Sequence, residues 1–305
     1  MRGRYSDLVT PRLGSEQNSA MPSTTTETNE IDYLAVGHVT DDLWADGRVT
    51  AGGTVMYASR CARTLVDRVA VLTAATASFD VANVFPGIEV HRLETAQTTQ
   101  FWNVYDGSHR TQFTRVGPVR LHGADLAPAL RRSRIVHLAP VCDEVDVDVL
   151  DVLDADTFVG ITPQGWLRRW AEDGRVTQSP ANWATAGRML ARANAAVMSI
   201  EDINGDWATA HKWAAVSRLL VVTQSERGCT LFLNGETVHV PAPEVQQVDP
   251  TGAGDVFAAT FFVALQRGEK PARAAEMANC LASISVTRPQ MEGLPTPADI
   301  ARCFG

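Results

Sequence analysis

Residues 249–255 read Asp-Pro-Thr-Gly-Ala-Gly-Asp and run without a break into VFAATFFVALQRG, an apolar stretch of helix length. Gly252 and Gly254 lack a Cβ, so the backbone there can bring several N–H groups against a ligand. A helix starting at about Gly254 adds unpaired N–H groups and the positive end of its dipole, which makes a hole for an anion such as a migrating phosphoryl group. Asp255, in the first turn, would lie beside that anion. A carboxylate repels a resting phosphate, so its position makes sense if it accepts a proton from, or orients, an attacking hydroxyl. Two other readings compete. The segment fits a degenerate G-x-G-x-x-G/A dinucleotide fingerprint, with Glu276 about 20 residues on, and it could be a purely structural glycine-rich helix cap. The fingerprint needs an apolar strand running into the glycines, whereas PAPEVQQV is polar and broken by proline, and too little chain follows to build a mononucleotide-binding half.

Further candidates lie upstream. An apolar run ends in GHVTDDLW, which puts Asp41 and Asp42 just beyond a strand, where ligands of open α/β sheets bind. A carboxylate accepting two hydroxyl donors is a natural anchor for a polyol, although an Asp here also suits a turn or N-cap. Gly52 and Gly53 precede a helix and would let backbone N–H groups approach a ligand. In TPQGWLRRW, Gln164 could donate to a substrate hydroxyl and Arg168 could balance phosphate charge. Pro163 with Trp166 and Trp170 equally suits an ordinary helix start packed on the core.

The elements that must position these residues follow from the apolar pattern. Runs of strand length, IDYLAVGHV, RVAVLTAA, RIVHLAP, DTFVGIT, AAVMS and RLLVVTQ, alternate with helical stretches TVMYASRCARTL, ANWATAGRMLARAN and EDINGDWATAHKWAAVS. Strands apolar throughout belong to parallel sheets covered on both faces. The alternation predicts a doubly wound α/β fold with right-handed crossovers. Two segments depart from it. CTLFLNGETVHV carries Asn234 and Gly235 between β-rich arms, a type I′ hairpin signal. TAQTTQFWNVYDGSHRTQFTRV, which includes Asn103, alternates polar and aromatic residues around an Asp106/Gly107 turn and reads as part of a small β-lid, or as a plain edge hairpin. A closing lid would exclude water that otherwise takes the phosphoryl group.

The chain has 305 residues, 45% of them apolar, enough for one large core. The net charge of −8, with 27 Lys and Arg scattered among 35 acids, argues against nucleic acid as a partner. Only Lys212 and Lys270 are lysines, and neither sits in a P-loop frame. No H-E-x-x-H or G-x-S-x-G motif supports a zinc or serine hydrolase. No apolar run reaches membrane-spanning length, and the N-terminus lacks the apolar centre of a signal peptide, so a cytoplasmic protein is expected with no membrane partner. Cys61, Cys142, Cys229, Cys280 and Cys303 are odd in number and widely spaced, which predicts reduced, mostly buried thiols. Residues 1–30 are polar and Ser/Thr-rich and are expected to form a disordered tail. Met21 could be the true start.

The DPTGAGD run resembles the C-terminal signature of the PfkB, ribokinase-like carbohydrate kinases. Thr260 stands where that family has Gly or Ala. The resemblance covers residues 31–305 and implies a kinase domain with a ribokinase-like, mostly parallel sheet flanked by helices, with lid strands within 38–52 and 91–118. It implies ATP and Mg²⁺ as cofactors, a small hydroxylated substrate, and a lid through which two copies could pair. By resemblance, Asp255 is the base, and Gly252, Ala253 and Gly254 form the anion hole beside Thr251. Asp42, Gly52 and Gly53 hold the substrate, with Asn103 and Gln164 as further contacts. Thr54 and Tyr57 replace the Lys and Asn of ribokinase proper, which disfavours ribose. The pattern is nearest the myo-inositol kinase branch, then nucleoside-type members in which an aromatic such as Tyr57 stacks on the substrate. VMSIEDI falls where the family has N-x-x-E, so Asp202 with Glu201 beside it would organise magnesium, Ser199 with Asp202 as a helix cap being the alternative. VTQSERG resembles the strand-loop that lines the nucleotide, marked by Thr223, Gln224 and Gly228. Asn279 is the polar candidate at the adenine, and Asp249 is placed to hold a monovalent cation such as K⁺. A nucleoside or other sugar kinase is the alternative within the family, and a non-catalytic sugar or nucleotide sensor the alternative outside it.

Overall fold

The computed structural model describes residues 30–106 and 109–305. The expected tail, apart from Glu30, and the Gly107 turn lie outside the described residues. The chain makes β1 (Tyr33–Val36), leaves for β2 (Thr40–Leu43) and β3 (Val49–Gly52), and returns through α1 (Thr54–Leu65) to β4 (Val69–Ala75). The turn α2 (Val81–Val84) and β5 (Glu89–Glu94) precede β6 (Thr99–Asp106), β7 (His109–Arg115) and β8 (Ile135–Leu138). Next come α3 (Val149–Val152), β9 (Phe158–Ile161), the turn α4 (Gln164–Leu167), β10 (Arg168–Trp170) and β11 (Val176–Gln178). They are followed by α5 (Ala186–Arg192), β12 (Ala195–Ser199), α6 (Trp207–Ala214) and β13 (Leu219–Thr223). The hairpin β14 (Cys229–Leu233) and β15 (Glu236–Val240) leads to α7 (Ala253–Gln266), α8 (Pro271–Ser285) and α9 (Pro297–Phe304).

Nine strands form the main sheet in the order β15-β14-β13-β12-β9-β8-β1-β4-β5, parallel except for the β13–β14 and β14–β15 pairs. The six apolar runs are its six central strands, and each is buried on both faces as a parallel sheet requires. One face packs on α1, α7 and α8, where α7 is buried from Val256 through Ala264 and so runs through the core. The other packs on Trp166, Trp183 and Trp213, with Trp166 and Trp183 stacked at 5.4 Å. Asn234 (φ 52°) and Gly235 (φ 80°) form the expected left-handed hairpin turn.

A separate four-stranded sheet, β3-β2-β6-β7, stands beyond the carboxyl end of β1, and the β10–β11 hairpin joins its β7 edge where Thr114 N–H donates to the Gly174 carbonyl at 2.8 Å. This second hairpin departs from the sequence reading of TPQGWLRRW as a helix start. After one turn, the Leu167 carbonyl accepts Ser179 N–H at 2.7 Å, and the chain continues as a strand. Other departures concern boundaries. Asn204 (φ 53°) and Gly205 (φ 77°) cut the 201–217 stretch, and Asp206 restarts it by capping α6 through Ala208 N–H. β5 was not anticipated and lies at the main-sheet edge.

The cysteine expectation holds in part. Cys61, Cys142 and Cys229 are buried free thiols whose pKa values burial pushes up to about 12, whereas Cys280 and Cys303 form a disulfide between α8 and α9. Chain spacing does not reveal that pair, because the fold brings the two helices together across a 23-residue separation. Closing a loop of that size restricts the unfolded chain by about 3 kcal/mol. Reduction should therefore lower the melting temperature by several degrees, and an unchanged melting curve in reductant would contradict the link.

Candidate active site

The turn before α7 is held from both sides. Asp249 accepts Thr251 N–H at 2.9 Å and Gln290 N–H at 3.0 Å, and Val286 carbonyl accepts the N–H groups of Val248 and Asp249. Burial raises the Asp249 pKa, but these donors outweigh it and leave the group below the usual carboxylate range. Gly252 caps the helix at φ 80°, and a Cβ there would lie 2.3 Å from the Tyr57 ring. Only glycine meets both demands. Ala253 N–H donates to the Pro250 carbonyl at 3.2 Å, so it closes the turn instead of facing a ligand, a correction to its expected place in the anion hole. Gly254 opens on empty space. Its N–H and that of Asp255 are the first-turn donors left for an anion.

Asp255 occupies the first turn of α7 and is buried enough that desolvation lifts its pKa to about 7. Thr54, the first residue of α1, and the charge of Arg168 oppose that rise, while Asp202 adds to it. A carboxyl poised near neutrality can take a proton at physiological pH.

Asp42 lies on β2 facing this centre. Its carboxylate accepts the Thr40 hydroxyl at 2.9 Å and rests on Gly52, where a Cβ would come within 2.3 Å of it. Burial raises its pKa, with Arg168 pulling the other way. Arg168 is the cation shared by the site. Its guanidinium donates to the Val141 carbonyl at 3.1 Å and lies 5.2 Å from the centre of the Phe101 ring on β6, and its charge reaches Asp42, Asp202 and Asp255. Asn103 shares the Phe101 face of β6, farther out and exposed.

Asp202 is buried, with its two oxygens taking Gln164 Nε2 at 3.3 Å and Ser199 N–H at 2.9 Å. It closes a capping box with Ser199, while Glu201 is exposed beside it. Desolvation pushes Asp202 up, against Ser199, Arg168 and Gln164. Tyr57 is buried with its ring on Gly252, so it braces the anion turn and offers no open stacking face. On the other side of the turn, Gln224 Nε2 donates to Thr230 at 2.7 Å, and Asn279 Nδ2 donates to the carbonyls of Val240 and Pro241 at 3.0 and 3.2 Å. Both amides hold the protein together. Thr223 ends β13 with its hydroxyl on the Met198 carbonyl, Gly228 turns the chain at φ 86°, and Thr251 is exposed. Thr54 and Phe101 were missed by sequence reasoning. Thr54 had a usable signal, being the first helical residue after the paired glycines.

Residues 189–298 match the family described as pfkB family carbohydrate kinase. Curated relatives include the bifunctional protein HldE of Caulobacter sp. strain K31, 42% identical over 69 residues, and that of Nitrobacter winogradskyi, 46% identical over 70. The matched stretch spans 22–23% of this chain and 14% of each of those proteins. Among solved structures, a pyrophosphate-dependent kinase in the ribokinase family, complexed with a pyrophosphate analog and myo-inositol, superposes with a TM-score of 0.74 at 18% identity, covering 88% of this chain and 99% of that one. Thermotoga maritima ribokinase gives 0.71 at 19%, covering 90% and 99%, and Arabidopsis thaliana ribokinase complexed with ribose and ATP gives 0.70 at 16%, covering 90% and 98%. The fold is ribokinase-like.

An acid whose pKa rises on folding makes the folded state bind its proton more tightly, so stability falls as pH climbs from about 4, its unfolded value, to about 7. Asp255→Asn removes that burden. The variant should melt several degrees higher than the parent at pH 8 and about the same at pH 4. Equal melting temperatures at both pH values would show that the carboxyl is not strained by burial.

Proposed function

We propose that this chain is a PfkB-family kinase that phosphorylates a hydroxyl of a small uncharged polyol, a cyclitol of the inositol type before a sugar. The carrying observation is the near-neutral Asp255 set beside the open N–H groups of α7, with Arg168 held against Asp42 and Phe101 of the small sheet. Asp255 takes the hydroxyl proton as the acceptor oxygen bonds to the terminal phosphorus of the donor, and the bond from that phosphorus to the leaving phosphate oxygen breaks. The Gly254 and Asp255 N–H groups hold the charge on the transferring group. Asp42 and Gln164 position the acceptor. Three carboxylates share the single guanidinium of Arg168, so a phosphorylated or acidic acceptor would meet repulsion, which supports a neutral one.

ATP is the proposed donor, laid along the β13–β14 loop at Thr223 and Gly228 and reaching Thr251. Magnesium fits the exposed Glu201 better than the buried Asp202, whose two oxygens already accept from Gln164 and Ser199; it keeps most of its waters, needs only a nearby carboxylate, and would neutralise donor oxygens. Asp249 fits a monovalent cation less well, both its oxygens being occupied by N–H groups. Inorganic pyrophosphate is a second reading for the donor. It is favoured by the inward use of the Gln224 and Asn279 amides, which leaves the base of a nucleotide fewer polar partners. Two copies could pair through the lid, where Trp44, Val49 and Val104 are exposed.

Phosphoryl transfer from ATP or pyrophosphate with Mg²⁺ should appear on one member of a panel of cyclitols, nucleosides, neutral sugars and sugar phosphates. Asp255→Asn should lower kcat by several powers of ten with donor affinity little changed. Turnover confined to sugar phosphates would overturn the neutral acceptor, and undiminished turnover in Asp255→Asn would remove the base.

A further inference from the structure

The loop after β8 wraps a buried carboxylate that none of the chemistry above uses. Glu144, 2% exposed, accepts Val141 N–H through both oxygens at 2.9 and 3.1 Å and Cys142 N–H at 2.6 Å. It also accepts the N–H of His38 at 2.8 Å, 106 residues away in sequence. Asp143, between the anchored amides and their acceptor, is forced to φ 57°, an unfavourable conformation that these hydrogen bonds maintain.

Each tethered amide has a place in the site. His38 carries the chain from β1 of the main sheet into β2 of the lid, and its ring nitrogen Nδ1 lies 2.8 Å from the Thr99 hydroxyl that opens β6. Val141 and Cys142 pack with Phe101 in a small apolar cluster of their own, and the Val141 carbonyl receives Arg168. One carboxylate thus ties the crossing into the lid, the shelf beneath Phe101, and the acceptor of Arg168.

We infer that Glu144 is a positioning residue that fixes the lid crossing and Arg168 in the geometry that holds the acceptor. The effect on turnover rests on the proposed function; the effect on the backbone does not.

Hydrogen exchange followed by NMR on the full chain tests it. In Glu144→Gln the amide NH₂ turns a donor toward backbone donors. The amides of His38, Val141 and Cys142 should then exchange about tenfold faster or more, with β4 and β8 unchanged. The acceptor KM should rise about tenfold while the donor KM and the acid limb of the pH profile stay in place. The KM effects of Glu144→Gln and Arg168→Lys should be non-additive when combined. Glu144→Asp keeps the charge on a shorter arm; it should release His38 first and gives the readout if the Gln variant does not fold. Unchanged protection at His38 and Cys142 would overturn the inference, as would equal rises in both KM values. If no acceptor is turned over by the parent, the exchange result still decides the tether, and only the functional reading fails.

Discussion

A half-buried carboxylic acid at the start of a helix is the constraint on which the molecule depends. Desolvation favours its neutral form, and a dipole that attracts anions favours the charged one. Thr54 at the start of α1 and the charge of Arg168 on β10 oppose the desolvation. Those two come from opposite ends of a connection that the sheet order brings together, since β1, β8 and β9 are neighbours although the chain visits other strands between them. The parallel sheet is therefore the jig for the acid. Its strands end in register, and the turns that leave them converge.

The two sides of the acid are built differently. On the acceptor side, polar side chains face inward and share one cation. On the side of the β13–β14 loop, Gln224 is committed to the Thr230 hydroxyl and Asn279 and Asp249 to backbone groups, which stiffens the loops around the turn. Backbone N–H groups are what remain there for the proposed phosphate donor. Such groups recognise charge and shape in common to many donors, whereas side chains discriminate among acceptors.

Much of this was legible in the sequence, for physical reasons. DPTGAGD is local, and its chemistry sits within a few residues. The six central strands announced themselves because burial on both faces demands unbroken apolar runs. The strand at Arg168 was not legible, since it is decided by partners elsewhere in the chain, whereas the helix break near Asn204 is local, set by the left-handed Asn204-Gly205 pair and the Asp206 cap. Tyr57 looked like a platform for substrate because a sequence does not show that Gly252 leaves a gap the size of a ring. Glu201 and Asp202 are neighbours in the sequence, yet the capping box turns Asp202 inward and leaves Glu201 outside. Glu144 was invisible for a related reason. Its partners are main-chain amides, which carry no residue signature.

The strands that shape the acceptor side are all detours. β2–β3 lies between β1 and α1, β6–β7 between β5 and β8, and β10–β11 between β9 and β12. Each departs beyond a strand end and returns before the next main-sheet strand, so its length and composition can drift without altering the register of the sheet. On the proposed reading, recognition falls to the most rewritable parts of the chain and the chemistry to the least. A lineage built on this plan can edit its hairpins while inheriting the glycine turn before α7 intact.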